Sequence, residues 1–343
     1  MDLTCTTDHR DGFVPGYNIR TDLALEANEV IRERTAAEIP GVKEEVKEED
    51  GIKVTKVSVL TEEASSRLGK PIGDYVTIES PDLRKKSASL QNRISKILAR
   101  EITEMAGFEE KPNMSILVIG LGNWNVTPDA LGPKVIEDLL VTRHIFNEQD
   151  PFGLSGKGFR RVAALSPGVM GLTGIETGEI IQGVAQRVNP DLIIAVDALA
   201  AYRLERLHTT VQLSDTGIIP GSGVKNQRMA INQDTMGART IAIGVPTVVG
   251  ASTIANETMN VLIEEMKKQS SGANALAGSL ENMEWDERHR LIEEVQEPFI
   301  GQLMVTPKEI DTFMDDISMA IAGGLNEALH PGMAETEADK FLQ

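Results

Sequence analysis

Along this chain, short unbroken apolar runs alternate with stretches in which apolar residues recur every three or four positions. Three runs are clearest: Ser115–Gly120, Asp191–Val196 and Thr240–Val245. Runs of this length, bounded by turn residues, predict strands buried on both faces. Ile52–Leu60 places Ile52, Val54, Val57 and Val59 among polar residues, the mark of a half-buried strand. Tyr75–Ile78 and Arg161–Leu165 predict two further short strands. Helical spacing is strongest over 84–106, where Leu90, Ile94, Ile97, Leu98 and Ile102 share a face. Helices are also predicted over 23–37, 129–144, 175–188, 251–268, 286–296 and 307–329. Strands alternating with helices predict an α/β fold whose mostly parallel sheet is covered on both faces. The charged stretch Glu44–Glu49 reads as a solvated turn or the approach to a hairpin. Residues 1–22 read as an irregular leader, and the small, polar stretch 267–285 as a surface loop within one domain.

Composition narrows the function classes. The 343 residues carry 34 Lys and Arg against 52 Asp and Glu, a formal net charge of -18. Such a chain is ill suited to direct contact with nucleic acid or an anionic membrane surface. Aromatic residues are 4%, so the core must be built from Ile, Val, Leu, Met and Ala. The single cysteine, Cys5, excludes a disulfide within the chain and suits a reducing compartment. Met1–Arg20 has no apolar run of the kind a signal peptide needs, and no stretch approaches 18 uninterrupted apolar residues, so a cytosolic protein is expected.

Two aspartates stand at the ends of predicted strands. Asp129 follows the run Ser115–Gly120, a glycine-rich turn through Gly120, Gly122 and Asn123, and Pro128. Asp197 directly follows Asp191–Val196. Ligands of open α/β sheets bind at the carboxyl ends of strands, so adjacent parallel strands would present both carboxyls at one edge. An ionised and a protonated carboxyl together can activate water and deliver a proton. Asp129 could equally cap a helix, and Asp197 could satisfy nearby backbone donors. Other chemistry lacks support. Gly120-Leu-Gly122 has Asn125 where a dinucleotide fingerprint needs its third glycine. Ser222 lies in a flexible-looking Pro220–Gly223 turn without the nucleophile-elbow pattern. His9, His144, His208, His289 and His330 form no metal motif, and His144 suits the end of a helix.

Several blocks, in order, resemble the spore germination proteases. They include Val118–Asn123, Val126–Lys134, Leu140–His144, Pro167–Thr177, Val188–Ala200, Asp215–Gly223, Ile243–Val249, Leu303–Glu309 and Ala322–Asn326. The resemblance covers about residues 17–330. It implies a three-layer α/β sandwich similar to the hydrogenase maturation endopeptidases, a homotetramer, and an endopeptidase with no cofactor. It implies that Asp129 and Asp197 form the catalytic pair. Independently of the resemblance, backbone donors of the glycine-rich turn through Gly120, Gly122 and Asn123 could stabilise an oxyanion or border the substrate. The family is made as a zymogen in the forespore and degrades small acid-soluble spore proteins, cutting after an acidic and before a large apolar residue. Thr21–Glu26 (TDLALE) looks like such a substrate, so the resemblance implies self-cleavage between Asp22 and Leu23. Residues 1–22 would then be a propeptide and 23–343 the protease domain.

Overall fold

The computed structural model describes residues 21–35, 38–147, 153–221, 228–269, 285–300 and 303–334. Its strands are β1 (Val42–Glu49), β2 (Ile52–Val59), β3 (Gly73–Glu79), β4 (Ser115–Gly120), β5 (Arg161–Leu165), β6 (Leu192–Ala201), β7 (Thr210–Ser214), β8 (Arg239–Gly250) and β9 (Met304–Val305). Its helices are α1 (Ala24–Thr35), α2 (Glu62–Leu68), α3 (Ala88–Ala106), α4 (Leu131–Glu137), α5 (Arg143–Asn147), α6 (Met170–Thr173), α7 (Thr177–Val188), α8 (Gln233–Met236), α9 (Ala251–Gln269), α10 (Trp285–Ile300) and α11 (Ile310–Leu329).

The strands form one sheet in the order β1-β2-β3-β7-β8-β6-β4-β5, with β9 paired to β8. The four strands β8, β6, β4 and β5 are parallel. The pairings from β1 through β7 to β8, and that of β8 with β9, are antiparallel. The sheet is therefore mixed, not mostly parallel. The long apolar runs are the parallel strands. The short polar strand β7, which joins the two halves, carries no such run.

Of the two readings of Glu44–Glu49, the hairpin holds and the turn does not. The segment belongs to β1, which pairs along its whole length with β2. The hairpin turn is Asp50-Gly51, both at positive φ, +50° and +75°, as a two-residue turn of the right twist requires. The charges of β1 face solvent on an edge strand, where they oppose pairing with another chain.

The helix expected over 129–144 is broken. Thr127–Asp129 is a single tight turn, α4 ends at Glu137, and His144 lies in the separate α5. The side chain of Asn326 on α11 diverts the chain between them. Its Oδ1 accepts from the Leu140 amide at 2.9 Å, and its Nδ2 donates to the Asp138 carbonyl at 3.0 Å. Residues 267–269 and Trp285 are helical, so the polar interruption narrows to 270–284, outside the described residues.

Strand alternation divides the core. Ile116, Val118, Leu192, Ile194, Val196, Ile241 and Ile243 pack with α3 and with Met314, Ile317 and Ile321 of α11. Their neighbours Leu117, Ile119, Ile193 and Ala195 pack with Ile181 and Ala185 of α7. Leu25, Val30 and Ile31 of α1 pack with Val57, Val59 and Tyr75 in a third cluster. Asp197 of β6, Gly244 of β8 and Gln212 of β7 stand opposite one another in register. By alternation they share the face of Ile193 and Ala195.

Candidate active site

β6 runs past its partner β4 at Val196, so Asp197 emerges where the sheet narrows. The side chain is only 6% exposed, and its Oδ1 accepts from the Ala198 amide at 2.9 Å. Burial first, and the Asp129 charge second, push its carboxyl well above the ordinary range.

Asp129 is placed by the turn after β4. The Leu121 amide donates to the Val196 carbonyl at 2.8 Å, tying the start of the turn to β6. Gly122 has φ +114°, and a Cβ there would stand 1.9 Å from the Asp129 carbonyl oxygen. Only glycine lets the turn fold back so closely. The Asn123 amide then donates to the Asp129 carbonyl at 2.9 Å. From β8, Thr247 Oγ1 donates to the Pro128 carbonyl at 2.7 Å. Thr247 is the extra residue where the β6–β8 register shifts, since Leu199 pairs with Pro246 and Ala200 with Val248. The bulge turns Thr247 toward the Asp129 turn.

Asp129 does not cap α4. The cap residue is Ala130, with no side-chain hydrogen bond. Burial raises the Asp129 carboxyl to about 6, against the lowering effects of the Asn123 backbone and the Arg228 charge. The Asp129 charge, second only to burial in raising the Asp197 carboxyl, couples the two groups.

The segment at the start of α1 reaches the same place. The Asp22 carboxylate accepts from the Ala200 amide at 3.2 Å, three residues beyond Asp197, and its charge also raises the Asp197 carboxyl. The Asp22 carbonyl accepts from Lys70 Nζ at 3.0 Å and from Gln212 Nε2 at 3.1 Å. Leu23 is fully buried, and its amide donates to Thr21 Oγ1 at 3.0 Å. The Ala24 amide donates to Gln212 Oε1 at 2.7 Å. The Glu26 carboxyl is fully buried. It accepts from the Thr21 hydroxyl and from the amides of Tyr202 at 3.2 Å and Arg203 at 3.0 Å. Burial raises it to about 7.

The sequence-predicted residues thus fall into one region: Asp129, Asp197, the Gly120–Asn123 turn, Asp22 and Leu23. Sequence reading missed Lys70, Gln212 and Arg228. The first two lie 48 and 190 positions from Asp22, in segments with no motif, so only the fold brings them together. Among the described residues, no group of three or more His, Cys, Asp or Glu could hold a metal ion. Ser222 and most of the leader, with Cys5 and His9, lie outside the described residues.

A family model described as germination protease matches residues 20–284 and 263–342. A germination protease of Caldanaerobacter subterraneus subsp. tengcongensis is 51% identical over 324 residues, covering 94% of this chain and 98% of the relative. One of Clostridium tetani is 46% identical, over 95% of this chain and 99% of its own length. One of Bacillus cereus is 43% identical, over 92% and 94%.

Proposed function

The chain belongs to the germination protease family, and from that premise we propose that it is an aspartic-type endopeptidase made as a zymogen in the forespore. In this reading it degrades small acid-soluble spore proteins in the spore core during germination, cutting after acidic and before large apolar residues. Residues 1–22 are the propeptide, removed by self-cleavage between Asp22 and Leu23, and 23–343 the protease. The active form is a homotetramer without a cofactor, and the chain is a three-layer sandwich similar to the hydrogenase maturation endopeptidases. Two observations on membranes and nucleic acid accord with this: the net charge is -18, and no described helix is long and apolar enough to cross a membrane.

The observation that carries the reading is the convergence at the end of β6. Two carboxyls with raised proton affinities lie there, and the Asp22 side chain is bound to the Ala200 amide. In the proposed reaction, ionised Asp129 takes a proton from water, and the water oxygen attacks the carbonyl carbon of Asp22. Protonated Asp197 gives its proton to the departing amide nitrogen of Leu23. The carbon–nitrogen bond breaks, leaving a carboxyl on Asp22 and an amine on Leu23. The Gly120–Asn123 turn holds Asp129 in place and borders the substrate.

Intact mass and N-terminal sequencing test this, before and after incubating the purified chain at mildly acidic pH. A new terminus at Leu23 in the wild type, absent from Asp129→Asn and Asp197→Asn, is the expected result. A wild-type chain that stays whole, or either variant cutting at the wild-type rate, would overturn it.

A further inference from the structure

The Asp22–Leu23 peptide is gripped at both of its polar atoms. Its N–H is held by Thr21 Oγ1, and its carbonyl oxygen takes two donors from distant parts of the chain. Lys70 follows α2, and its Nζ also donates to the Thr21 carbonyl at 2.9 Å. Gln212 projects from β7 beside Gly244, in the same register row as Asp197. Its amide orientation is fixed by a partner. Oε1 receives the Ala24 N–H at 2.7 Å, so Nε2 must face the Asp22 oxygen.

We propose that Lys70 and Gln212 are the catalytic residues that stabilise the oxyanion in self-cleavage, receiving the charge that develops on the Asp22 carbonyl oxygen. The inference rests on the reading above that the Asp22–Leu23 bond is the one cut. When the water oxygen bonds to the carbonyl carbon, the π electrons move onto that oxygen. An ammonium and an amide already within hydrogen-bond distance stabilise it there without reorganisation. Two amides of the glycine turn are committed elsewhere: Leu121 donates to Val196 and Asn123 to Asp129. Partial burial lowers the proton affinity of Lys70, while the charges of Asp22 and Glu26 favour its ammonium form.

The test compares the full-length chain with Lys70→Met, Lys70→Arg, Gln212→Leu and Asp197→Asn, following the first-order loss of intact mass at the Asp22–Leu23 bond. Thermal melts verify that each variant is folded. Lys70→Met, which keeps the length and burial, is expected to cut about 100-fold more slowly, and Gln212→Leu about 10-fold. Lys70→Arg, which keeps the charge, should recover most of the rate. A folded Lys70→Met at the wild-type rate overturns the inference. So does a Lys70→Arg as slow as Lys70→Met, since that assigns Lys70 to packing alone. If Asp197→Asn cuts normally while Lys70→Met is slow and Lys70→Arg is restored, the carboxyl pair falls and the carbonyl donors stand. A wild type never cut there overturns both.

Discussion

At the scale of single residues, the site is a set of carboxyls raised in proton affinity by unlike surroundings. Asp129 sits near 6 because it is half-buried, whereas Asp197 is deeply buried and feels the Asp129 charge. Self-cleavage should therefore follow a bell-shaped pH profile. The rate should rise through about pH 6 as Asp129 ionises and fall at higher pH as Asp197 loses its proton. Asp129→Asn should remove the acidic limb and lower the rate by about 10²–10⁴-fold, measured by intact mass across pH. Glu26 makes a separate prediction. Its folded value of about 7 lies above the ordinary 4.5, so the protonated form is the one the fold favours. That contribution is fully present below about 4.5 and is lost as pH rises through about 7. Between pH 4.5 and 8, the wild type should lose about 3 kcal/mol of stability relative to Glu26→Gln, read from denaturant unfolding at each pH.

At the scale of elements, α1 and the Gly120–Asp129 turn do most to shape the site. α1 is fastened by more than apolar packing. Glu29 accepts two hydrogen bonds from the buried Arg206, at 2.6 and 2.7 Å, and Arg206 also pairs with Glu79 on β3. Arg206→Leu would remove the buried cation that Glu29 and Glu79 share, leaving Glu79 only the longer Lys53 pair at 3.8 Å. It should lower stability by about 3 kcal/mol and loosen α1, seen as faster amide exchange over 24–35. The turn after β4 depends on Gly122. Gly122→Ala puts a methyl onto the Asp129 carbonyl at a φ of +114°. It should abolish self-cleavage and lower the melting temperature, at a cost of about 2–3 kcal/mol, visible by calorimetry. Local sequence foretold these elements unevenly. The strands β4, β6 and β8 and the helix α3 were legible, because a buried strand or an amphipathic helix writes its own period. β1 was not, since its exposed charges form a strand only by pairing with β2. The break between α4 and α5 was not, because Asn326 makes it from 186 residues away.

At the scale of the whole molecule, the sheet joins a parallel half that carries Asp197 to an antiparallel half that carries Gln212, and α1 lies across the antiparallel half. Light scattering on the processed chain should give a mass of four 37.3 kDa subunits, less the leader, if the proposed tetramer forms. The sequence alone determined which residues lie in strands and helices of strong period and the α/β class, and it singled out Asp129, Asp197, Asp22 and Leu23 as candidates. Each of these is a local property, set by side-chain spacing or by a short ordered block of residues. Only the tertiary structure decided the mixed strand order, the bulge that aims Thr247 at the Asp129 turn, and the meeting of Lys70 and Gln212 on one carbonyl oxygen. Those depend on which distant segments pack together. The free energy of that packing is spread over the whole core, so no short stretch of sequence records it.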